Sequence, residues 1–247
     1  MLLLCGIRKE IVRIPTKDLL KCTLLGALGL PLTYGVFYSG MAGSSATEAN
    51  LVIAAEPIIV AVLAWFLLKE RLSNLQQVGL IVGFVGLYIL IMQGLRPVFQ
   101  GESLANAIMT FGLLIECMGS ILGKSLANKY PGLLVVSLEF ISGSILTLPF
   151  AIREWELHPL HAAPQSAWFA IAYLCIGCSF VAYGVWYLFL PKFEVSAMSG
   201  FLFVQPLAGP FMAWYFRGEA PHSITYFGAA LVLAGVWLVT GAVSKSR

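Results

Sequence analysis

Residues 50–90 read NLVIAAEPIIVAVLAWFLLKERLSNLQQVGLIVGFVGLYIL. An apolar run precedes Lys69-Glu70-Arg71 and another follows it. A hydrocarbon core about 30 Å thick takes roughly 20 mostly apolar residues in a helix, and each run has that length. Both are continuously apolar rather than alternating, and a helix satisfies its backbone polar groups within one segment. Two spanning helices joined by a short charged turn are therefore expected. Pro57 falls in mid-helix, where it withholds an N–H and leaves the carbonyl of Ile53 without its helical donor. A kink is expected beside Glu56. After the turn, Ser73 and Gln76 have the spacing of a capping box. Gly79, Gly83 and Gly86 open the next helix to close packing.

The rest of the chain is of the same kind. Of 247 residues, 59% are apolar and 11% charged, and the mean hydropathy is +0.87. A soluble domain carries about 25% charged residues, so a water-soluble globule is excluded. An all-α polytopic membrane protein remains, with spans expected at 19–41, 46–68, 73–95, 103–123, 131–152, 166–190, 195–217 and 222–243. The net charge of +3 does not suggest a nucleic-acid partner. Cys5, Cys22, Cys117, Cys175 and Cys178 are scattered through apolar stretches and do not form a disulfide framework. The opening MLLLCGI is short and its positive charges follow it, so no secretory signal is expected.

Basic residues orient the spans, because cytoplasmic loops are enriched in Lys and Arg. With Arg8–Lys21 inside, the inner side also holds Lys69, Arg71, Lys124, Lys129, Lys192, Lys245 and Arg247. The outer side holds only Arg96, Arg153 and Arg217. Both termini are expected in the cytoplasm.

The opening stretch has a second copy, SGFLFVQPLAGPFMAWYFRGEAPHSITYFGAALVLAGVWLV at 199–239. One offset, that between Tyr34 and Tyr183, aligns 19–90 with 168–239 without a gap. It sets Tyr34-Gly35-Val36-Phe37-Tyr38 on Tyr183-Gly184-Val185-Trp186-Tyr187, and Glu56-Pro57 on Gln205-Pro206. Ala64-Trp65 falls on Ala213-Trp214, Glu70 on Glu219, and Gly79 and Gly86 on Gly228 and Gly235. Spans 103–123 and 131–152 have no complete counterpart, and Met1 falls opposite Phe150. A full repeat would hold five helices and the whole molecule ten, the two copies inverted because five is odd. The chain is thus expected to be an inverted-repeat, ten-helix fold lacking helix one and most of helix two. Its domains are an incomplete first repeat at 1–95 and a five-helix second repeat at 103–243.

The paired five-helix repeats and the two quoted signatures resemble the EamA-like family of the drug/metabolite transporter superfamily. Each signature has a mid-helix proline, a glutamate at the helix end and spaced glycines in the next helix. The resemblance implies a secondary carrier, an exporter of a small metabolite such as an amino acid, working by alternating access in the plasma (inner) membrane. It also implies that the helices bearing the tyrosine pairs line a central cavity.

Ionisable groups inside a membrane are costly enough to be functional candidates. Glu48, Glu56, Glu116 and Glu139 qualify. Glu48 lies near a helix end and has a simpler reading, a side chain reaching headgroups or water. Glu56 lies deeper: it either contacts a solute or proton, or is a neutral acid hydrogen-bonded at the kink. Glu116 is central in its span and Glu139 nearer the inner leaflet, and either has a structural alternative, pairing with Lys124 or a hydroxyl. Gln205 is the uncharged counterpart of Glu56. Tyr34 and Tyr38 share a helical face, as do Tyr183 and Tyr187 with Trp186 beside them. They form either an aromatic-walled solute pocket, suited to a flat or cationic group, or an interfacial belt. The candidate binding or coupling set is therefore Tyr34, Tyr38, Glu56, Glu116, Tyr183, Trp186, Tyr187 and Gln205, with kinks at Pro57 and Pro206.

Glu70 and Glu219, at helix junctions, read as structural. Cys175-x-x-Cys178 reads as small packing residues, and His158 and His161 sit in an outer loop where a metal is not expected. No nucleophile–base pair or metal cluster argues for an enzyme, and no phosphate-binding Gly-x-x-x-x-Gly-Lys-Ser/Thr motif argues for a nucleotide-driven pump. The alternative to a carrier is a truncated or non-transporting membrane assembly protein. The expected partners are a small solute, lipid and a coupling proton; no cofactor is expected. The orientation is directly testable with single cysteines and an impermeant thiol reagent applied outside. The loop at 153–161 should label and the junction at 69–73 should not; the reverse pattern overturns the inverted arrangement.

Overall fold

The computed structural model describes residues 12–92, 103–157, 164–207, 215 and 223–244. Among these residues there is no strand, and seven helices are long and apolar enough to cross a membrane. They are α1 (Thr16–Met41), α2 (Glu48–Leu68), α3 (Asn74–Met92), α4 (Leu104–Ala127), α5 (Gly132–Trp155), α6 (Gln165–Phe189) and α8 (Ser223–Thr240). Between α6 and α8 lies a shorter apolar helix, α7 (Val195–Gln205). The span expected at 195–217 is thus described only in its first half, and Ala213, Trp214, Glu219, His158 and His161 lie outside the described residues.

The helices are interrupted where the sequence weakens them. Helix α2 breaks at Ala55: one helical segment ends at Ala54, a second starts at Glu56 with Pro57 in its first turn. That is the expected kink, since the proline cannot donate to the turn before it. Helix α1 widens to a π-helical turn over Leu28–Leu32, around Pro31. Helix α6 does the same over Leu174–Ala182, which overlaps the position equivalent to Leu28–Leu32. In both copies the irregular turn runs directly into the Tyr-Gly-Val-aromatic-Tyr segment. In α7 the backbone tightens to a 3₁₀ helix over Gly200–Leu207, so the second kink position is also irregular. Lys69 ends α2 in the left-handed region, φ 58°, a conformation that favours glycine. Its counterpart in the other copy is Gly218.

The chain folds into two compact units. The first comprises Met1–Gly35 and Leu122–Phe193. In it the start of α1 packs on α5 through Gly26 and Gly143: a Cβ on Gly143 would lie 2.8 Å from the Gly26 carbonyl. Ser142 Oγ donates to the carbonyls of Leu138 and Cys22 along this seam.

The second unit comprises Val36–Ile121 and Glu194–Arg247. Its centre is the seam between α3 and α8, which are equivalent helices of the repeat. A Cβ on Gly79 would lie 2.9 Å from the Gly235 carbonyl, and one on Gly86 2.9 Å from the Gly228 carbonyl. Residues further along α3 meet residues earlier along α8, so the two helices run antiparallel. The contact is also reciprocal: Gly79 meets the counterpart of Gly86, and Gly86 the counterpart of Gly79. Such reciprocity is the signature of a two-fold relation. Phe203 of α7, fully buried, lies against Gly83, and Leu80, Leu87, Val232 and Val239 complete this core.

Substitution tests the seam. Gly86→Leu or Gly235→Leu should cost about 1–3 kcal/mol through overpacking, a fall of several degrees in Tm for a chain of this size. Ile81→Val, on the exposed face of α3, should shift thermal unfolding in detergent far less. Equal tolerance at both positions would contradict the close approach.

Candidate functional site

Several polar groups inside the spans hold the backbone together. Glu48, expected at the membrane surface, is instead buried at 3% exposure. Ser45 and Glu48 form a capping box at the start of the α2 segment, with Ser45 N–H donating to Glu48 Oε2 at 2.9 Å. Asn106 of α4 donates to Glu48 Oε1 at 3.1 Å, and Ser44 donates to Asn106 Oδ1 at 2.7 Å. The short side chain of Glu48 turns inward because these donors lie within reach. Its role here is that of a latch between α2 and α4.

The capping box at α3 forms as expected: Ser73 N–H donates to Gln76 Oε1 at 2.8 Å and Gln76 N–H to Ser73 Oγ at 3.2 Å. Glu70 is likewise structural. Its carboxylate accepts from Val195 N–H and Ser196 N–H at 3.0 Å each, and from Ser196 Oγ at 2.8 Å. It thereby caps the first turn of α7, where backbone N–H groups have no helical acceptor and negative charge is favoured. Lys124 of α4 does the converse, donating to the carbonyls of Leu190 and Phe193 just past the end of α6. Lys124 was one expected partner for Glu116 or Glu139; its ammonium meets these carbonyls because the chain end of α6 offers acceptors that would otherwise be bare. At the start of α1, Asp18 accepts from Tyr130 at 2.7 Å and pairs with Lys21 and Lys129. That carboxylate holds the Tyr130 phenol above its ordinary pKa.

The candidate residues divide between the units. Tyr38, Glu56, Glu116 and Gln205 belong to the second; Tyr34, Tyr183, Trp186 and Tyr187 belong to the first. In the second unit, Glu56 and Glu116 lie within electrostatic range of one another, with Cys117 beside both. Both are half-buried, and the pair sits at the Ala55 break in α2. Ser199 of α7 donates to the Pro57 carbonyl at 3.1 Å, which ties the segment after the break in place. Tyr38 is exposed, with Phe37 edge-on to it at 5.9 Å, and Gln205 is exposed. The side chain of Pro206 is outside the described residues.

In the first unit Tyr34 is exposed and Tyr183 half-buried, packed edge-on against Phe140 at 5.4 Å. Trp186 is half-buried. Tyr187 departs from a belt position: it is buried at 3% exposure, and its hydroxyl lies near the Glu139 carboxylate. A buried phenol calls for a polar neighbour, and Glu139 of α5 is that neighbour. The juxtaposition of Glu139 and Tyr187 could not be read from spacing, because the two residues lie on separate helices with no common period.

A chain of long apolar helices, interrupted next to paired intramembrane acids, has the construction of a membrane carrier. It belongs to the EamA-like transporter family, whose model matches residues 1–92 and 105–241. An Archaeoglobus fulgidus protein named as an uncharacterized transporter is 26% identical over 90% of this chain and 76% of its own length. A Salmonella typhimurium protein named as a probable amino-acid metabolite efflux pump is 26% identical over 96% of this chain and 84% of its own. A Streptantibioticus cattleyicolor protein named as a probable terminal-alkyne amino-acid exporter is 25% identical over 95% and 76%. One crystal structure, at 18% identity, shares the fold with a TM-score of 0.76 over 99% of this chain and 84% of that one.

Glu70→Ala removes the acceptor for three donors at the start of α7. The expected cost is about 1–3 kcal/mol, read as a drop in the thermal unfolding midpoint of detergent-solubilised protein. Lys69→Ala, at the exposed neighbouring position, is the control. Equal midpoints for the two variants would remove the capping role.

Proposed function

We propose that this protein is a secondary transporter that exports a small metabolite, an amino acid or related solute, by alternating access across the plasma (inner) membrane. In this reading both termini are cytoplasmic, and the two repeats, 1–95 and 103–243, are the elements whose rearrangement alternates access. The names of the relatives support an exporter of amino-acid-like solutes. The observation that carries the mechanism is the neighbouring pair Glu56 and Glu116 at the break in α2.

Two carboxyl groups within electrostatic range inside a membrane do not both ionise freely, because each charge raises the cost of the other and low polarity raises the cost of both. The pair therefore holds a proton or a cation. A proton bound in one orientation and released in the other couples flux to the pH gradient. Alternatively the ammonium of an amino acid takes the proton's place, so that solute and proton exclude one another at one pair. A helix break beside the pair is a recurrent feature of solute sites near the midplane. Tyr34, Tyr38, Tyr183, Trp186, Tyr187 and Gln205 are proposed as the walls of the pathway.

Glu56→Gln retains shape and removes one titrating group. In membrane vesicles, efflux of a labelled amino-acid panel should lose its dependence on an imposed pH gradient, and Glu116→Gln should act in the same direction. If the pair also holds the solute ammonium, binding should weaken roughly tenfold, since a charge-assisted bond becomes neutral. Unchanged flux, binding and pH response in both variants would overturn the proposal.

A further inference from the structure

A second intramembrane acid is left over once the pair at the α2 break and the backbone-capping groups are accounted for. Glu139 of α5 is buried at 5% exposure. The Tyr187 hydroxyl lies near this carboxyl, and Oε2 is buried without a hydrogen-bond partner. The surroundings are shaped for this carboxyl. A Cβ on Gly29 would stand 2.7 Å from Glu139 Oε1, and a Cβ on Gly123 would stand 2.5 Å from the Tyr187 hydroxyl. Two helices, α1 and α4, thus each present a glycine where the pair sits. Four residues after Gly29, Thr33 is buried at 2% exposure and its Oγ1 also lacks a partner.

The groups around Glu139 are few. From α1 the facing titratable residue is the buried Cys22. From α6 they are Tyr187 and, beyond it, Tyr183. From α4, next to Gly123, Lys124 directs its ammonium to the carbonyls of Leu190 and Phe193. Asp18 and Lys21, nearer the start of α1, pair with each other and with Tyr130 and Lys129. Among the described residues no cation pairs with Glu139.

We propose that Glu139, set beside Tyr187 between Gly29 and Gly123 with its Oε2 buried and unpartnered, is a second proton-binding site, separate from Glu56 and Glu116. An ionised carboxylate with no counter-charge and one bare oxygen is unfavourable in this setting. A proton on Oε2 needs a single oxygen, whereas an alkali cation requires several oxygens converging at once. The occupant is therefore a proton. The site also responds to movement: Tyr187 rides on α6 and Glu139 on α5, so a shift of one helix past the other moves the phenol relative to the carboxyl. Withdrawing that donor disfavours the ionised form, which draws a proton onto the carboxyl; its return releases the proton. This role in a cycle rests on the carrier reading above, but proton binding itself does not.

The test uses the purified full chain in lipid nanodiscs and infrared difference spectra between acid and alkaline buffer, reading the carbonyl stretch of protonated carboxyl groups. Glu139→Gln should remove one band, and Glu56→Gln and Glu116→Gln should leave that band in place. Tyr187→Phe should keep the band and move its midpoint to higher pH, the effect of removing a donor from beside a charged acceptor. Gly29→Ala, which sets a methyl against the carboxyl, should shift the same midpoint. A Glu139→Gln spectrum identical to the parent overturns the proposal, as does a band displaced by sodium, which would give the site to an alkali cation. Should Glu139→Gln not fold, an unmoved midpoint in both Tyr187→Phe and Gly29→Ala overturns it instead. Loss of the pH-gradient dependence of flux in Glu56→Gln with the Glu139 band intact would show two independent sites. Persistence of the band with no transport at all would sink the carrier reading alone.

Discussion

Four glycines on two helices make the contact on which the second unit depends. Gly79 against Gly235 and Gly86 against Gly228 bring the backbones of α3 and α8 close enough that no Cβ fits at either crossing. In lipid there is no hydrophobic gain from burying one apolar helix against another, so association rests on such close dispersion contact. Once the two backbones touch, a groove remains for Phe203, which seats α7 on Gly83. Its neighbour Ser199 then reaches the Pro57 carbonyl and fixes α2 beyond its break. The glycine seam thereby determines where Glu56 stands.

Equivalent positions in the two copies do not have equivalent surroundings. Tyr38 is exposed at 53% while its counterpart Tyr187 is buried at 3%. The buried phenol of Tyr187 lies near the Glu139 carboxylate of α5, a helix that the repeat offset leaves without a complete counterpart. Glu56 likewise faces a second acid, while its counterpart Gln205 is exposed. Glu116 and Glu139 lie on α4 and α5, which have no complete counterpart in the first copy, so the two units differ in chemistry: two carboxyls neighbour each other in one, a carboxyl and a phenol in the other.

The helices, their order and the kink at Pro57 were legible in the sequence because each is a local property: apolar run length, a missing N–H, a short charged turn. The Ser73–Gln76 capping box was legible for the same reason. The glycines announced close packing, and the repeat offset named the helices that would be equivalent, though not that they would face each other. The misread groups were those decided by tertiary neighbours. Glu48 reads as a surface acid until Asn106 is placed beside it. Lys124 reads as a carboxylate's partner until the end of α6 presents two bare carbonyls. Tyr187 reads equally as a pocket wall or a belt residue until α5 sets Glu139 beside it. Side-chain periodicity states which face a residue occupies and says nothing of what arrives there from another helix.

Polar groups in a membrane have two physical uses, and sorting them isolates the functional ones. A helix in lipid must satisfy its own backbone, and every interruption exposes groups that require a substitute partner. Ser199 supplies one at Pro57, Ser142 at Cys22, Lys124 at the end of α6, and Glu70 and Ser45 at helix starts. Glu48 and Gln76 close capping boxes. Each of these would be needed in any protein that folds this way, whatever it carried. Glu56, Glu116 and Glu139 are different, for no backbone group among the described hydrogen bonds requires them. These three acids are each set beside an interrupted helix or a space kept open by glycine, where a carboxyl group is costly. In the carrier reading proposed above, exchange of protons or cations with the two sides of the membrane is what that cost supports.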